Sequence, residues 1–220
     1  MKSFRAVVFD MDGTLLDTLA DIGNSVNRVL SASGFPIHPI ESYRYFVGEG
    51  SAVLIEKALP PNNRNPETIA RCLKAYQDDY GQFWHTNTRV YDGIPELLDG
   101  LVDSGLRMTI LSNKYHEFTI QCAEAFLNRW SFDVVFGIRN QVSKKPDPTA
   151  AIEIATILNI PTTDFLYVGD TGVDMQTAVS AGMFPIGVLW GFRLKEELVS
   201  NGARGIISHP EELLSWVDRK

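Results

Sequence analysis

The sequence contains little cysteine and no clustered positive charge. Among its 220 residues are two cysteines, Cys72 and Cys122, too few and too widely spaced for a disulfide framework or a cysteine-rich metal site. We expect both to be buried thiols in a reducing compartment. The formal charge is −7, and no run of Lys and Arg occurs. This argues against a nucleic-acid partner, because binding to a phosphate backbone requires clustered cations.

Long apolar runs are missing as well. No stretch approaches the roughly 20 apolar residues of a membrane-spanning helix, so no membrane contact is predicted. The chain passes from a short polar start directly into the apolar run at residues 6–9. We therefore expect no signal peptide and a cytoplasmic location.

Short apolar runs alternate with amphipathic stretches over most of the chain. The runs lie at residues 6–9, 107–111, 134–136, 165–168 and 184–189, and helical periodicity lies at 94–104, 115–127, 148–158 and 174–181. This alternation predicts parallel strands joined by crossover helices, which is a doubly wound α/β sheet with Rossmann-like α/β/α layers. A weaker strand at 205–207 and a last helix at 210–217 are expected to complete it.

Residues 18–89 interrupt this alternation. They show helical periodicity and no convincing strand, and the proline- and asparagine-rich stretch 60–66 is expected to be irregular. We predict a core formed by residues 1–17 and 90–220, with 18–89 inserted as an all-helical cap. Ligands of open α/β sheets bind at the carboxyl ends of strands, so a cap inserted after the first strand would cover the site. Hinges are expected near 16–18 and 89–93.

Polar clusters follow several of the predicted strands. Asp10 and Asp12 come directly after the first, where two close carboxylates raise each other's pKa and favour a cation or a shared proton. The further clusters are Ser112-Asn113-Lys114, Lys145 before Pro146, and Asp170 with Asp174. A doubly wound sheet gathers the carboxyl ends of its strands at one edge, so these side chains are predicted to converge.

Four of these segments resemble the four motifs of haloacid dehalogenase-superfamily phosphatases, in the same order and over nearly the whole chain. They are Asp-x-Asp-Gly-Thr from Asp10, Ser-Asn-Lys from Ser112, Lys-Pro from Lys145 and Gly-Asp-Thr-x-x-Asp from Gly169. The helical insert after the first motif belongs to the resemblance. Local matches at 47–50, 93–98 and 190–193 are most similar to the phosphoglycolate phosphatase branch.

The resemblance implies a role for each motif residue. Asp10 would be the nucleophile that forms an aspartyl-phosphate. Asp12 would protonate the leaving alkoxide and then activate water. Ser112, Asn113 and Lys145 would bind the phosphoryl oxygens, on which negative charge spreads during transfer.

The resemblance also implies Mg²⁺ as the cofactor. The carboxylates of Asp10 and Asp170, with the backbone carbonyl of Asp12, would supply hard oxygen ligands. Asp174 would lie beside the ion, bonding a metal-bound water or orienting Lys145.

Simpler structural roles exist for several of these residues. Asp12 and Asp174 could each be helix N-caps, and Asp170 could be a turn former. Lys114 and Arg44 are candidates for contact with the substrate or the cap, and a solvated position is the alternative for each. Arg193 could reach the rim of the site or pair on the surface.

The function implied by the resemblance is a Mg²⁺-dependent phosphatase for a small phosphomonoester, with 2-phosphoglycolate as the leading substrate. Pyrophosphate, nucleoside monophosphates and sugar phosphates are alternatives. A β-phosphoglucomutase-like activity is disfavoured because Ile22 and Ser51 stand where such mutases carry histidine and arginine. A dehalogenase is disfavoured because dehalogenases need no metal, whereas the motif at Asp170 and Asp174 implies Mg²⁺. A non-enzymatic binding protein on a retired hydrolase fold is disfavoured because it would not be expected to keep every motif residue. Both a monomer and a dimer are compatible with the sequence.

Overall fold

The computed structural model of the protein describes residues 4–217. Within that range the chain forms two compact units. The first contains residues 4–16 and 90–217, and the second is Asp17–Arg89. The chain passes between the units through two adjacent two-residue strands that pair with each other.

The described chain contains eight strands and nine α-helices. The strands are β1 (Ala6–Phe9), β2 (Leu16–Asp17), β3 (Arg89–Val90), β4 (Arg107–Tyr115), β5 (Val134–Ile138), β6 (Phe165–Gly169), β7 (Phe184–Val188) and β8 (Gly205–Ile207). The helices are α1 (Leu19–Ala32), α2 (Ser51–Ala58), α3 (Pro66–Phe83), α4 (Ile94–Asp103), α5 (His116–Phe126), α6 (Thr149–Leu158), α7 (Gly172–Ala181), α8 (Lys195–Ser200) and α9 (Leu214–Val217). Short 3₁₀ helices lie at Ile40–Tyr45, Pro61–Asn63, Thr162–Asp164 and Pro210–Leu213.

The first unit is built on a six-stranded parallel sheet with the order β5-β4-β1-β6-β7-β8. Strands β4 and β5 lie on one side of β1, and β6, β7 and β8 lie on the other. Phe9 pairs with Ile110 of β4 and with Val168 of β6, so the carboxyl ends of these three strands are level. The predicted doubly wound α/β fold is confirmed, and its central strand places Asp10 at the point where the strand order reverses.

The core beneath this edge is apolar. Every residue of β1 is fully buried. Ala6 and Val8 belong to a hydrophobic cluster that includes Ile154 and Ala155 of α6 and Ala178 of α7. The buried cluster fixes the ends of the central strands and therefore the positions of the polar residues that follow them.

Strand β4 is longer than the sequence predicted. It was expected to end at residue 111, where the apolar run stops, but it continues to Tyr115. Leu111 pairs with Phe136 and Tyr115 pairs with Ile138, so β4 carries two more residues than β5 over this stretch. Such irregularities in a ladder bend the strand and redirect side chains, and here they affect 112–114, the predicted phosphate-binding segment.

The second unit is helical between α1 and α3, with α3 packed against both α1 and α2. The expectation that residues 60–66 form no regular structure was wrong. Pro61–Asn63 is a 3₁₀ helix, and α3 begins at Pro66. Proline suits the first turn of a helix, and Asn65 caps this one by accepting a hydrogen bond from the Thr68 backbone N–H at 2.9 Å.

A buried carboxylate fastens α1 to the end of the second unit. Asp21 accepts hydrogen bonds from the backbone N–H groups of Asn87 and Thr88 and from both of their side chains, at 2.8–2.9 Å. The predicted core face of α1, which includes Ile22 and Val26, is buried. The segment leading into β3 is thereby held against the first helix of its unit.

The remaining composition-based expectations concern cysteine and membrane contact. Cys72 and Cys122 are both buried, and no disulfide joins them, as predicted. Among residues 4–217, no helix combines the length and apolar character that crossing a bilayer requires.

Candidate active site

The carboxyl edge of the sheet gathers the polar residues of the first unit. Asp10 follows β1, and Asp170 follows β6. Asp174 lies in the first turn of α7, and Lys145 lies in the loop before α6. Oxygen atoms of the three aspartates lie within 4.8 Å of one another, and all three side chains are buried. Residues more than 150 positions apart in the sequence therefore form one cluster.

Lys145 provides positive charge inside this cluster. Its Nζ lies 2.9 Å from Asp10 Oδ1 and 2.7 Å from Asp174 Oδ1, and it donates to the Leu111 carbonyl at 3.1 Å. The residue is only 3% exposed. Burial alone would lower the pKa of Lys145, but the two aspartates outweigh it and raise the pKa well above its usual value. Lys145 is therefore a permanently charged group at the centre of the site.

Asn113 holds the backbone of Lys145 in place. Its Nδ2 donates to the Lys145 carbonyl at 3.0 Å, and its Oδ1 accepts from the Lys145 N–H at 2.9 Å. The side chain of Asn113 therefore positions the lysine loop, and the predicted contact of its backbone N–H with phosphate stays a prediction. Ser112 is buried beside it, and Ser112 Oγ accepts from the Lys114 N–H at 3.3 Å.

Asp170 is enclosed by backbone and by glycine. Its Oδ2 accepts a hydrogen bond from the Phe192 N–H at 2.7 Å, and its Oδ1 accepts from Thr14 Oγ1 at 3.3 Å. Gly13 has a φ of +86°, and a Cβ at that position would collide with Asp170 Oδ2. Glycine is required there both for the turn and for the close approach. Burial raises the pKa of Asp170 well above its usual value, and the charges of Asp174 and Asp10 add to the effect.

Asp174 serves the helix and the cluster through the same carboxylate. Its Oδ2 accepts from the Thr171 N–H at 3.0 Å and from Thr171 Oγ1 at 2.6 Å, while its Oδ1 accepts from Lys145. Thr171 is the N-cap of α7, and the two residues form a capping box. The alternative that Asp174 is itself an N-cap is wrong, because it is the third helical residue and closes the box from inside the helix.

Asp10 is the least satisfied of the three carboxylates. Burial raises its pKa to about 7, an effect that Lys145 opposes and Asp174 supports. Asp10 Oδ1 is in ion-pair contact with Lys145 but receives no aligned hydrogen bond from the described residues. Asp10 and Asp174 thus share one buried lysine, while Asp170 is held by neutral donors, so the cluster carries excess negative charge. Hard oxygen atoms with uncompensated charge fit a small divalent cation such as Mg²⁺.

Asp12 is paired with Lys114. Lys114 Nζ donates to both carboxylate oxygens of Asp12, each at 2.9 Å. A solvated Lys114 was the alternative from the sequence, and that alternative is wrong because the residue is 8% exposed. The extension of β4 explains the difference, since it places residue 114 inside the sheet edge rather than in a loop.

Two arginines, Arg193 and Arg44, are predicted contacts of the site or its substrate. Arg193 is buried, and its Nε lies 3.2 Å from Glu197 Oε2. Its positive charge opposes the burial effect on the pKa of Asp170, so a purely surface pairing is excluded. Arg44 lies in the second unit, on the 3₁₀ helix Ile40–Tyr45, and its contact with substrate stays a prediction.

Sequence reasoning missed Tyr167. It lies in β6 and is fully buried beside the cluster. Burial raises the pKa of its phenol well above the usual value, and the nearby charge of Lys145 opposes the shift. A tyrosine inside an apolar strand carries no signal that separates it from an ordinary core residue, so nothing in the sequence alone could have identified it.

Residues 7–188 match the model of the haloacid dehalogenase-like hydrolase family. The chain belongs to this family. Phosphoglycolate phosphatase of Pseudomonas savastanoi pv. phaseolicola is 29% identical, over 96% of this chain and 78% of that protein. Phosphoglycolate phosphatase of Nitrosospira multiformis is 30% identical, over 86% of this chain and 84% of that protein.

A solved structure is similar over nearly the whole chain. The crystal structure of a predicted phosphatase from Clostridium acetobutylicum is 28% identical, with a TM-score of 0.87 and coverage of 98% of both chains. Because this alignment spans nearly the whole chain, the second unit belongs to the similarity too. The family predicted from the four motifs is confirmed.

Proposed function

We propose that this haloacid dehalogenase-like protein is a phosphatase that hydrolyses a small phosphomonoester, with 2-phosphoglycolate as its leading substrate. The observation that carries the proposal is the buried cluster of Asp10, Asp170 and Asp174 around Lys145 at the carboxyl edge of the sheet. The family match and the relatives with the name phosphoglycolate phosphatase support it.

The first chemical step is assigned to Asp10. A carboxylate oxygen of Asp10 attacks phosphorus, an O–P bond to Asp10 forms, and the P–O bond to the leaving alkoxide breaks. Lys145, whose Nζ lies 2.9 Å from Asp10 Oδ1, is close enough to contact the phosphoryl oxygens as charge spreads over them. Ser112 is assigned to the same oxygens from the end of β4.

The proton transfers are assigned to Asp12. It gives a proton to the leaving alkoxide, then accepts one from the water that attacks the aspartyl-phosphate. Inorganic phosphate leaves and the Asp10 carboxylate is regenerated. Two carboxylates two residues apart, one buried within the cluster and one at its edge, suit this division between nucleophile and acid/base.

Mg²⁺ is the proposed cofactor. The carboxylates of Asp10 and Asp170 and the backbone carbonyl of Asp12 would hold it, while Asp174 keeps Lys145 and the start of α7 in place. When bound, the ion neutralises charge between an anionic nucleophile and an anionic substrate. The fit is supported by the excess of buried carboxylates over cations and by the raised pKa values of Asp10 and Asp170.

Binding of Mg²⁺ is expected to depend on pH because a proton competes for Asp10. With a pKa of about 7, Asp10 is mostly protonated at pH 6 and mostly ionised at pH 8. Since a ligating carboxylate must be deprotonated, the apparent affinity should be about tenfold lower at pH 6 than at pH 8. Calorimetric titration without substrate measures this, and buffers of different ionisation enthalpy report the released proton. Equal affinity at the two pH values, or turnover that survives EDTA, would contradict the metal assignment.

A substrate panel with a free-phosphate readout tests the function itself. Purified protein with Mg²⁺ is assayed on 2-phosphoglycolate, pyrophosphate, a nucleoside monophosphate and glucose 6-phosphate. We expect the highest kcat/KM for 2-phosphoglycolate. A higher value for another ester would replace the substrate and keep the phosphatase, whereas no phosphate from any of them would overturn the phosphatase.

The second unit is proposed to be the cap that selects the leaving group, with Arg44 as one of its substrate contacts. The boundaries found in the structure, Asp17–Arg89, differ by one residue from the 18–89 expected from the sequence. The cytoplasmic location, the absence of a nucleic-acid or membrane partner, and a monomeric or dimeric state stay predictions.

A further inference from the structure

We infer that Lys114 selects substrates whose leaving group carries a carboxylate on the carbon that bears the ester oxygen, by exchanging Asp12 for that carboxylate. The inference rests on the proposed phosphatase function and assigns the specificity of the same site to a named residue of the first unit.

The site contains two buried lysines with different partners. Lys145 contacts Asp10 and Asp174, the residues assigned to the phosphoryl group and its surroundings. Lys114 contacts Asp12, the residue assigned to acid/base catalysis, with both carboxylate oxygens at 2.9 Å. Because Asp12 must face the ester oxygen, Lys114 lies on the leaving-group side of the site.

The arrangement observed cannot be the one in which Asp12 transfers a proton. Lys114 Nζ engages both carboxylate oxygens of Asp12, so at least one of them has to leave the lysine before it can reach the ester oxygen. The Lys114 side chain is 6% exposed. Moving Asp12 away would take both of these contacts from a buried ammonium group, which is unfavourable.

A carboxylate on the substrate removes this obstacle. In an ester of the form ⁻OOC–CH₂–O–PO₃²⁻, the anion is two bonds from the oxygen that Asp12 protonates, and it lies on the same side of the site. It takes the place of Asp12 on Lys114, and the released Asp12 carboxylate takes up a proton from solvent, which it then gives to the ester oxygen. A neutral leaving group cannot do this, so it should both bind less tightly and react more slowly.

The irregular stretch of β4 directs the side chain of Lys114 toward Asp12. The two residues are 102 positions apart, and β4 carries two extra residues relative to β5 between Leu111 and Tyr115. In a regular strand, the side chains of residues 112–114 would continue to alternate between the two faces of the sheet, as those of the residues before them do. Bulges of this kind are common beside active sites, where they redirect a side chain.

The experiment compares phosphate release from 2-phosphoglycolate and from 2-phosphoglycolamide. The second ester has an uncharged amide in place of the carboxylate of the leaving group. The wild-type protein should prefer the carboxylate in kcat/KM by at least about tenfold, since breaking the buried pair of Lys114 and Asp12 without a replacement anion is unfavourable. In Lys114→Met, kcat/KM should fall for both esters, and the preference should shrink to about twofold or less. Lys114→Arg should keep most of the preference because the charge remains, and glycolate should inhibit the wild type more strongly than Lys114→Met. Lys195→Met, an exposed lysine of the same unit, is the matched control.

The outcomes separate the inference from the function on which it rests. Equal kcat/KM for the two esters with the wild-type protein would overturn the role of Lys114 while the phosphatase stands, and this comparison needs no variant to fold. An equal loss for both esters in Lys114→Met would also overturn it, since the lysine would then act only by positioning Asp12. Failure of the wild type to release phosphate from either ester would instead count against the proposed function.

Discussion

Asp10→Asn is expected to lower kcat by at least about ten-thousand-fold, because loss of a nucleophile removes the covalent route altogether. The amide is close in size to the carboxylate but cannot form the aspartyl-phosphate. Phosphate release from 2-phosphoglycolate and from p-nitrophenyl phosphate measures the effect. The second ester has a good leaving group, so a large loss with both would place the defect in the attack rather than in the proton transfer to the alkoxide.

The same variant should remain folded. Asp10 is buried in a cluster with excess negative charge, so removing its charge relieves repulsion, and without metal the melting temperature should be unchanged or higher. Asp78→Asn is the matched control, since this aspartate has a 65% exposed side chain and pairs with Lys74 four residues away. Residual activity of Asp10→Asn within a hundredfold of the wild type would contradict the assignment of Asp10 as the nucleophile.

The fold was predictable because its signals are local. Each strand of the six-stranded sheet contains a short apolar run, and the strand predicted at 205–207 is β8 with the same bounds. The parallel arrangement follows from the helices between the runs. The place of Asp10 at the carboxyl end of the central strand needed no further information, because topology alone brings such ends to one edge.

The contacts within the site were not predictable to the same degree. No sequence pattern pairs Lys114 with Asp12, because the contact depends on the continuation of β4 beyond its apolar run. The pattern predicts a loop at the polar residues 112–114, since the apolar run ends at residue 111. In the structure, ladder pairing with β5 keeps them in the strand, which is a tertiary effect.

The sequence also does not show that one residue can both cap a helix and belong to the site. Thr171 and Asp174 have the spacing of a capping box, and the capping interpretation alone would account for them. The structure adds that the remaining oxygen of Asp174 holds Lys145. The start of α7 and the lysine are therefore fixed by one carboxylate, and a helix signal and a site signal coincide in the same residues.

Charge balance explains why this edge of the sheet suits a divalent cation. The three carboxylates are accommodated in the interior because backbone N–H groups, Thr171 and Lys145 satisfy some of their oxygens. Burial raises the pKa of Asp10 to about 7, and the charge of Asp174 adds to the effect while Lys145 opposes it. Such perturbed groups in a buried cluster are typical of functional sites.

Lys145→Met should affect both activity and stability, because it removes the cation that Asp10 and Asp174 share. We expect kcat/KM to fall about a thousandfold, as for the loss of a main electrostatic contact to the transferred group. The free energy of unfolding at pH 8 without metal should fall by about 3–5 kcal/mol, the usual effect of removing one partner of a buried ion pair. Urea unfolding followed by circular dichroism measures the second quantity. Lys144→Met, the adjacent exposed lysine, is the control and should change neither.

The cause of that instability can be tested through pH and Mg²⁺. If uncompensated carboxylates are responsible, the deficit of Lys145→Met should shrink at pH 6, where protonation of Asp10 removes charge from the cluster. Added Mg²⁺ should raise the melting temperature of the variant more than that of the wild type, because the cation replaces part of the missing charge. A deficit that is the same at pH 6 and pH 8 and indifferent to Mg²⁺ would mean that Lys145 stabilises the fold by packing alone, and the electrostatic account of the cluster would then be wrong.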